Sequence, residues 1–292
     1  VNPEYDISII TVNYNGLKDT CELIDTIPSN DPSIEVIVVD NASNKDECSL
    51  IKQKHPHIKT IQSNKNLGFA GGNNLGIQEA KGKYLFFVNN DTIFKEFNIR
   101  PLIQRLESSE KIGVVCPKIR FTWEEERIQY AGYTPLSKIT VRNESIGFGE
   151  IDRGQYDTPH PTPYAHGAAM LVKREVIEKV GLMPEDYFLY YEELDWSLMI
   201  RRAGYEIWYD PACTVYHKES QTTGQSSPLR TFYITRNRLL LVKRNLQSNI
   251  RYISYLYLIL IVGSKDCLKY LFKCRFDLIK ATMRGIILFF KL

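Results

Sequence analysis

Apolar runs broken by polar turn formers fill the first ninety residues, and their lengths predict buried strands alternating with helices. "ISIITVNYN" is a β-branched run that ends in polar residues around Asn13, so it predicts a strand feeding a loop, with a helix over 17–27. "IEVIVVDNAS" predicts a second strand ending at Asp40 and Asn41, followed by a polar helix over 45–54. "IKTIQSN" predicts a third strand, "GGNNLGIQEAKG" opens a helix, and "KYLFFVNND" predicts a fourth strand. Strands and helices alternating at this spacing imply parallel βαβ units, covered on both faces. Sheets of this kind bind ligands beyond the carboxyl ends of their strands. Asn13, Asp40 and the cluster Asn89, Asn90, Asp91 all fall at such ends.

The second half has a different pattern. After the apolar run "IGVVCPKIRF", residues 123–163 are rich in turn formers, and their strands are hard to place. "HGAAMLVKREVIEKVG" predicts a strand and a short helix closed by Gly181. "YFLYYEELDWSLMIRRAGYEIWYDPACTVYH" predicts an acidic helix start, a basic last turn before Gly204 and a strand ending near His217. From about residue 231 the chain turns basic and apolar. Its uncharged run over 252–263 is well short of the about 20 residues that cross a bilayer. Lys and Arg interleaved with Leu, Phe and Tyr suit helices lying on an anionic membrane surface. The alternative is a helical tail resting on the domain or on a second subunit.

Composition narrows the function classes. A formal charge of +3 over 292 residues is too small to imply nucleic acid, which is not expected as a partner. The 6 cysteines are scattered without zinc-site spacing, which predicts reduced thiols and a cytoplasmic protein. No basic segment followed by an apolar stretch opens the sequence, so no secretory signal is expected.

The ordered blocks "SIITVNYNG", "VIVVDNAS", "NLGFAGGNNLGI", "FVNNDT", "GAAMLVKREVIEKVGLMPEDYFLYYEELDWSLMIRRAGY" and "VYHKES" together resemble family 2 glycosyltransferases of the GT-A fold. They are most similar to the rhamnosyltransferase-like members that build bacterial surface polysaccharides, over about residues 5 to 240. The resemblance implies a Rossmann-like, mostly parallel central sheet flanked by helices and followed by a C-terminal helical tail. The expected division is a nucleotide-sugar-binding and catalytic domain over 1–225 and a basic, apolar helical region over 226–292.

The same resemblance implies the site. Family members hold a divalent cation, Mn²⁺ or Mg²⁺, with a strand-end acidic cluster; here Asp91 takes that place, with Asn89 standing where a carboxylate is commoner and His217 as a further candidate ligand. Asn13, Asp40, Asn41, Asn66, Gly68, Asn73, Asn90 and Arg236 are the expected contacts to the nucleotide-sugar donor. The glycines of the 66–76 block would let backbone approach that ligand. "YEELDW" matches the segment that carries the general base, in register Glu193, with Glu192 and Asp195 beside it positioning the acceptor or the base. Close acids raise one another's pKa, which suits a base working near neutral pH. The implied activity is inverting glycosyl transfer from dTDP-rhamnose, or next a UDP-sugar, to a glycan or lipid-linked acceptor at the inner face of the cell membrane. The alternative is a catalytically inactive sugar-nucleotide-binding scaffold that partners an active transferase, suggested by Asn89 and Glu193 where the family usually has Asp.

Overall fold

The computed structural model describes residues 5–218 and 227–292. The chain opens with β1 (Tyr5–Asn13), α1 (Leu17–Asp25), β2 (Ile34–Asp40), α2 (Glu47–Lys54), β3 (Lys59–Gln62), α3 (Gly68–Glu79) and β4 (Gly82–Val88). It continues with β5 (Thr92–Ile93), α4 (Arg100–Glu107), β6 (Ile112–Phe121), β7 (Ile128–Tyr130) and β8 (His160–Pro161). Then come β9 (Ala169–Lys173), α5 (Arg174–Val180), a 3₁₀ turn at Glu185–Tyr187, α6 (Glu192–Arg202) and β10 (Glu206–His217). The last part is α7 (Pro228–Asn245), α8 (Ser248–Leu256), a π-helical turn at Tyr257–Gly263, α9 (Ser264–Phe272) and α10 (Phe276–Phe289).

One mixed sheet runs in the order β3-β2-β1-β4-β9-β6-β10-β5, with β7 paired to β6 and β8 to β10. β3, β2, β1 and β4 are parallel, as the apolar runs predict. β9 enters antiparallel between β4 and β6, a direction that apolar periodicity does not encode. Ile7, Ile9, Ile10, Val38, Val39, Leu85, Phe86 and Phe87 are all buried, because helices cover both faces.

The glycines of α3 serve this packing. A Cβ on Gly72 would come within 2.8 Å of Val12 Cγ1, and one on Gly76 within 2.4 Å of Ile10 Cγ2. Helix and sheet touch there with no room for a methyl group. This corrects the expectation that the glycine run opens backbone to a ligand: Gly72 and Gly76 face β1.

A second, smaller core joins the C-terminal helices to the rest: Leu239, Leu240, Leu241, Val242, Leu258 and Phe289 pack with Tyr187 and Val141. The tail therefore rests on the domain, while its outer faces stay apolar and exposed. The expected boundary between residues 225 and 226 lies outside the described residues. Among the described residues no helix is long and apolar enough to cross a membrane, and all 6 cysteines are free thiols.

Candidate active site

The carboxyl ends of β1, β2 and β4 meet in one polar network. Asn13, fully buried, donates through Nδ2 to Asp40 Oδ1 at 2.7 Å and to Glu47 Oε2 at 2.8 Å. Its Oδ1 accepts from Thr20 Oγ1 at 2.7 Å, and Thr20 Oγ1 in turn accepts from Asn90 Nδ2 at 3.0 Å. Asp40 thus connects to the Asn89, Asn90, Asp91 cluster through side chains alone. Glu47 carries no sequence signal that separates it from an ordinary first-turn acid, and was missed.

Asp40 differs from its expected role. It has no exposed surface, and both oxygens are engaged by Asn13, Ser43 and Gln62, with the Ser43 backbone N–H at 3.3 Å as a further donor. A nucleotide would have to displace one of these donors to reach it. Asn41 is also turned inward: it donates to the Gly68 carbonyl at 2.9 Å and to Asn66 Oδ1 at 3.1 Å, and accepts from the Leu67 N–H at 2.9 Å. Asn73 is buried and donates back to the Phe69 carbonyl at 2.9 Å. Gly68 has φ +72°, and a Cβ there would lie 2.0 Å from the Phe188 carbonyl oxygen, so its freedom serves a backbone crossing. These residues shape the wall. Asn66, Asn89, Asn90 and Asp91 keep partial exposure.

Asp91 and His217 meet because β5 pairs antiparallel with β10, setting Thr92 opposite His217. His217 Nε2 lies 3.1 Å from Asp91 Oδ1, and its Nδ1 lies 2.8 Å from Gln129 Oε1. Burial would raise the Asp91 carboxyl, but the hydrogen bond and charge of His217, with help from Lys218, outweigh it and hold the pKa below the usual carboxylate range. Gln129 sits in β7, inside the turn-rich stretch whose strands the sequence did not resolve.

These donors suit a divalent cation as a partial ligand set. Among the described residues no group of three or more His, Cys, Asp or Glu converges as a closed metal cage. Asp91, and His217 steadied on its far nitrogen by Gln129, would be the side chains to hold such a cation. The Asn89 backbone N–H donates to the Ala168 carbonyl at 3.0 Å, which ties this end of the site to the loop before β9.

The acidic segment closes the site from the other side. A Cβ built on Gly167 would lie 3.8 Å from Glu193 Cγ and 3.8 Å from Phe69 Cζ, so Glu193 faces the same loop that Asn89 grips. His166, one residue earlier, stacks on Tyr133 with ring centroids 5.8 Å apart and planes at 7°. Burial, and then the nearby charge of His217, pushes the His166 imidazole down to about 3, so it stays neutral. His166 feels the charge of His217, and the Tyr133 hydroxyl that of Glu193.

Glu192 and Glu193 are held at the start of α6 by strained backbone. Phe188, Tyr190 and Tyr191 have φ of 64°, 71° and 77°, left-handed values that cost roughly 1–2 kcal/mol per residue. The strain is held from α7. Buried Asn237 donates to the carbonyls of Tyr187, Leu189 and Tyr190 at 2.7–2.9 Å, and Arg236 donates to those of Asp186 and Tyr187. Arg236, expected at the diphosphate, has its guanidinium on this loop and against the Tyr233 ring. Asn237 was missed, because nothing in "ITRNR" marks a residue that binds a loop fifty positions earlier.

The three acids have different fates. Asp195 is fully buried; Arg244 Nε lies 2.6 Å from its Oδ2, and Asn245 donates to its Oδ1 at 2.8 Å. It anchors α6, and Glu193 with it, to α7, where the expectation was that it positions the acceptor or the base. Glu192 is buried with no hydrogen-bond partner for Oε2; burial first, then repulsion from Glu193, holds it well above the usual carboxylate range. Burial also raises Glu193, which retains partial exposure toward Gly167.

The family model for "Glycosyl transferase family 2" matches residues 8–181. The chain belongs to glycosyl transferase family 2. Within it, this family 2 chain is similar to the "Low-salt glycan biosynthesis hexosyltransferase Agl10" of Haloferax volcanii, at 28% identity over 96% of this chain and 89% of that protein. It is likewise 28% identical to the "dTDP-rhamnosyl transferase RfbF" of Shigella flexneri, over 82% of this chain and 81% of that one. Rhamnosyltransferase WbbL of Escherichia coli is 25% identical over 72% of this chain and 83% of its own. The fold is GT-A: the mannosyltransferase PcManGT of Pyrobaculum calidifontis, solved with GDP-Man and Mn²⁺, superposes with a TM-score of 0.58 at 15% identity. That match covers 98% of this chain and 75% of the neighbour.

Proposed function

We propose that this family 2 glycosyltransferase is an inverting enzyme, with Glu193 as its general base and a divalent cation at Asp91 and His217. Glu193 takes the proton from an acceptor hydroxyl, whose oxygen forms a bond to the anomeric carbon as the bond from that carbon to the diphosphate breaks. The electron pair of the broken bond leaves with the diphosphate. The cation, when bound, supplies charge that stabilises the departing oxygens. Asn89 and Asn90 border that place with neutral amides. Burial and then repulsion from Glu193 favour the protonated form of Glu192, which keeps a second negative charge from building beside the base.

What supports this reading is that Asp91 pairs with His217, while Asn89, two residues before Asp91, and Glu193 both reach the loop at 167–168. A base facing the sugar's far side and a cation at the leaving group are the two requirements of single displacement. No second carboxyl is needed to protonate the leaving group, which separates the site from hydrolases.

The donor is dTDP-rhamnose, with a UDP-sugar next; the names of the relatives RfbF and WbbL support the former. The acceptor is a glycan or a lipid-linked saccharide in surface polysaccharide synthesis, met at the cytoplasmic face of the membrane. A relative of 23% identity is named for transfer to an N-acetylglucosaminyl-diphospho-decaprenol. Incubation with Mn²⁺ and a panel of dTDP, UDP and GDP sugars, followed by assay of nucleotide release, tests the reading. Release lost in Glu193→Gln and Asp91→Ala supports it; donor binding without turnover on any acceptor favours the inactive scaffold.

A further inference from the structure

Charge is unevenly shared along this chain. Residues 228–292 hold 13 Lys and Arg against two Asp and no Glu, a net +11, whereas residues 1–227 carry a net −8. Within the basic part, a cavity of about 310 Å³ opens between α7, α9 and α10. Arg230, Lys269, Lys273 and Arg275 contribute to its wall, and the single carboxylate there is Asp266. Arg275 also pairs with Asp277 at 2.7 Å, and Lys269 lies over the Tyr270 ring. The charge balance of the wall is that of an anion site.

Two further observations say what kind of anion. The helix that supplies Lys269 and Lys273 also presents Leu268, Leu271 and Phe272 to solvent, with Phe276 following; Phe272 is 86% exposed. Apolar side chains bracketing basic ones are arranged as they are where helices lie in a lipid interface. Second, the cavity adjoins the acidic segment: the Arg230 guanidinium lies 5.9 Å from the centroid of the Tyr190 ring, two residues before Glu192. Arg230 therefore bridges the cavity wall and the loop that leads into α6.

We propose that this cavity is a phosphate subsite for the membrane-borne acceptor, receiving the phosphate or diphosphate through which a saccharide is linked to its lipid. The apolar side chains of α9 and Phe276 enter the bilayer while the lysines and arginines meet the phosphate oxygens. The identity of the ligand as acceptor rests on the transferase reading; the phosphate site itself does not.

Flotation of the full chain with phosphatidylcholine vesicles tests it, comparing plain vesicles with ones containing phosphatidylglycerol or a polyprenyl diphosphate. The variant Lys269→Ala with Lys273→Ala is set against a control of equal charge change, Lys265→Ala with Lys291→Ala, on exposed positions outside the cavity. The expected result is preferential flotation with polyprenyl diphosphate, weakened roughly tenfold or more by the cavity pair and little by the control. Equal weakening by both pairs would reduce the effect to diffuse charge and overturn the subsite. So would inorganic pyrophosphate binding as tightly as the vesicle-borne group, which would make it a site for free phosphate. Binding of dTDP, UDP and GDP with Mn²⁺, measured on the wild type, separates the two readings: binding of none of them with flotation intact removes the transferase reading and leaves the phosphate site standing.

Discussion

Asp40 and Glu192 are both buried acids, and they are built in opposite ways. Asp40 accepts from Asn13, Ser43 and Gln62 and is a finished piece of framework. Glu192 has an oxygen without a partner and a carboxylate neighbour, so its charged form is disfavoured. The first arrangement stabilises the fold. The second costs stability, and such costs persist where function needs them. The contrast separates the half of the site that holds shape from the half to which we assign proton transfer.

The largest effect expected is at the acidic half. Glu193→Gln lowers sugar transfer by about 10²–10⁴-fold while leaving donor affinity unchanged, read from initial rates beside nucleotide binding. Because burial raises Glu193, the acid limb of the rate profile lies above pH 4.5, the ordinary glutamate value, and activity is gained as pH rises through it. A full loss in Glu192→Gln with Glu193→Gln active would exchange the two roles. Next is the leaving-group end: Asp91→Ala reduces nucleotide release by roughly 10²–10³-fold, and chelation of the wild type does the same. Retained activity in EDTA would remove the cation from the mechanism.

Asp40→Ala leaves several buried donors unpaired and costs about 3 kcal/mol, measured by denaturant unfolding. A near-neutral outcome would show that its network is dispensable. Asn237→Ala releases three carbonyls that hold the left-handed residues before α6, and it lowers kcat by about 10–100-fold with donor KM little changed. Equal loss of kcat and donor affinity would indicate general unfolding instead.

The smallest effect has the opposite sign to Asp40. Glu192 is raised in the fold, so above its ordinary value of 4.5 the unfolded chain sheds its proton first and stability declines as pH rises toward the folded pKa. Glu192→Gln removes that decline. It should raise Tm at neutral pH by about 2–4 °C for each kcal/mol recovered, with the gain disappearing below pH 4.5. A Tm that falls at every pH would contradict the buried, protonated state.

How far the sequence revealed this depends on how local each signal is. β1, β2 and β4 were legible because parallel strands buried on both faces leave unbroken apolar runs, and their polar ends located Asn13, Asp40 and Asp91. The acidic start of α6, with Glu193 in its first turn, was legible through its block. The direction of β9 was not, since a buried run reads the same whichever way it crosses a sheet. Arg236 and Asp195 were assigned from charge, yet their partners lie about fifty residues away in sequence, where no local pattern reports them. The α3 glycines show a related ambiguity, because a contact too tight for a methyl group looks the same in sequence whether a ligand or a strand lies opposite. Gln129 had no signal within a polar, turn-rich stretch.

The placement of β9 between β4 and β6 also governs how the chain can be made. During synthesis β4 and β6 both leave the ribosome before residue 169, β4 bare on the flank that β9 will fill and β6 bare there and on the flank that β10 will fill. Until Ala169–Lys173 emerges, the nascent polypeptide exposes the two oily, unpaired strand edges that it will join. Truncations that stop short of this keystone should therefore accumulate as inclusion bodies.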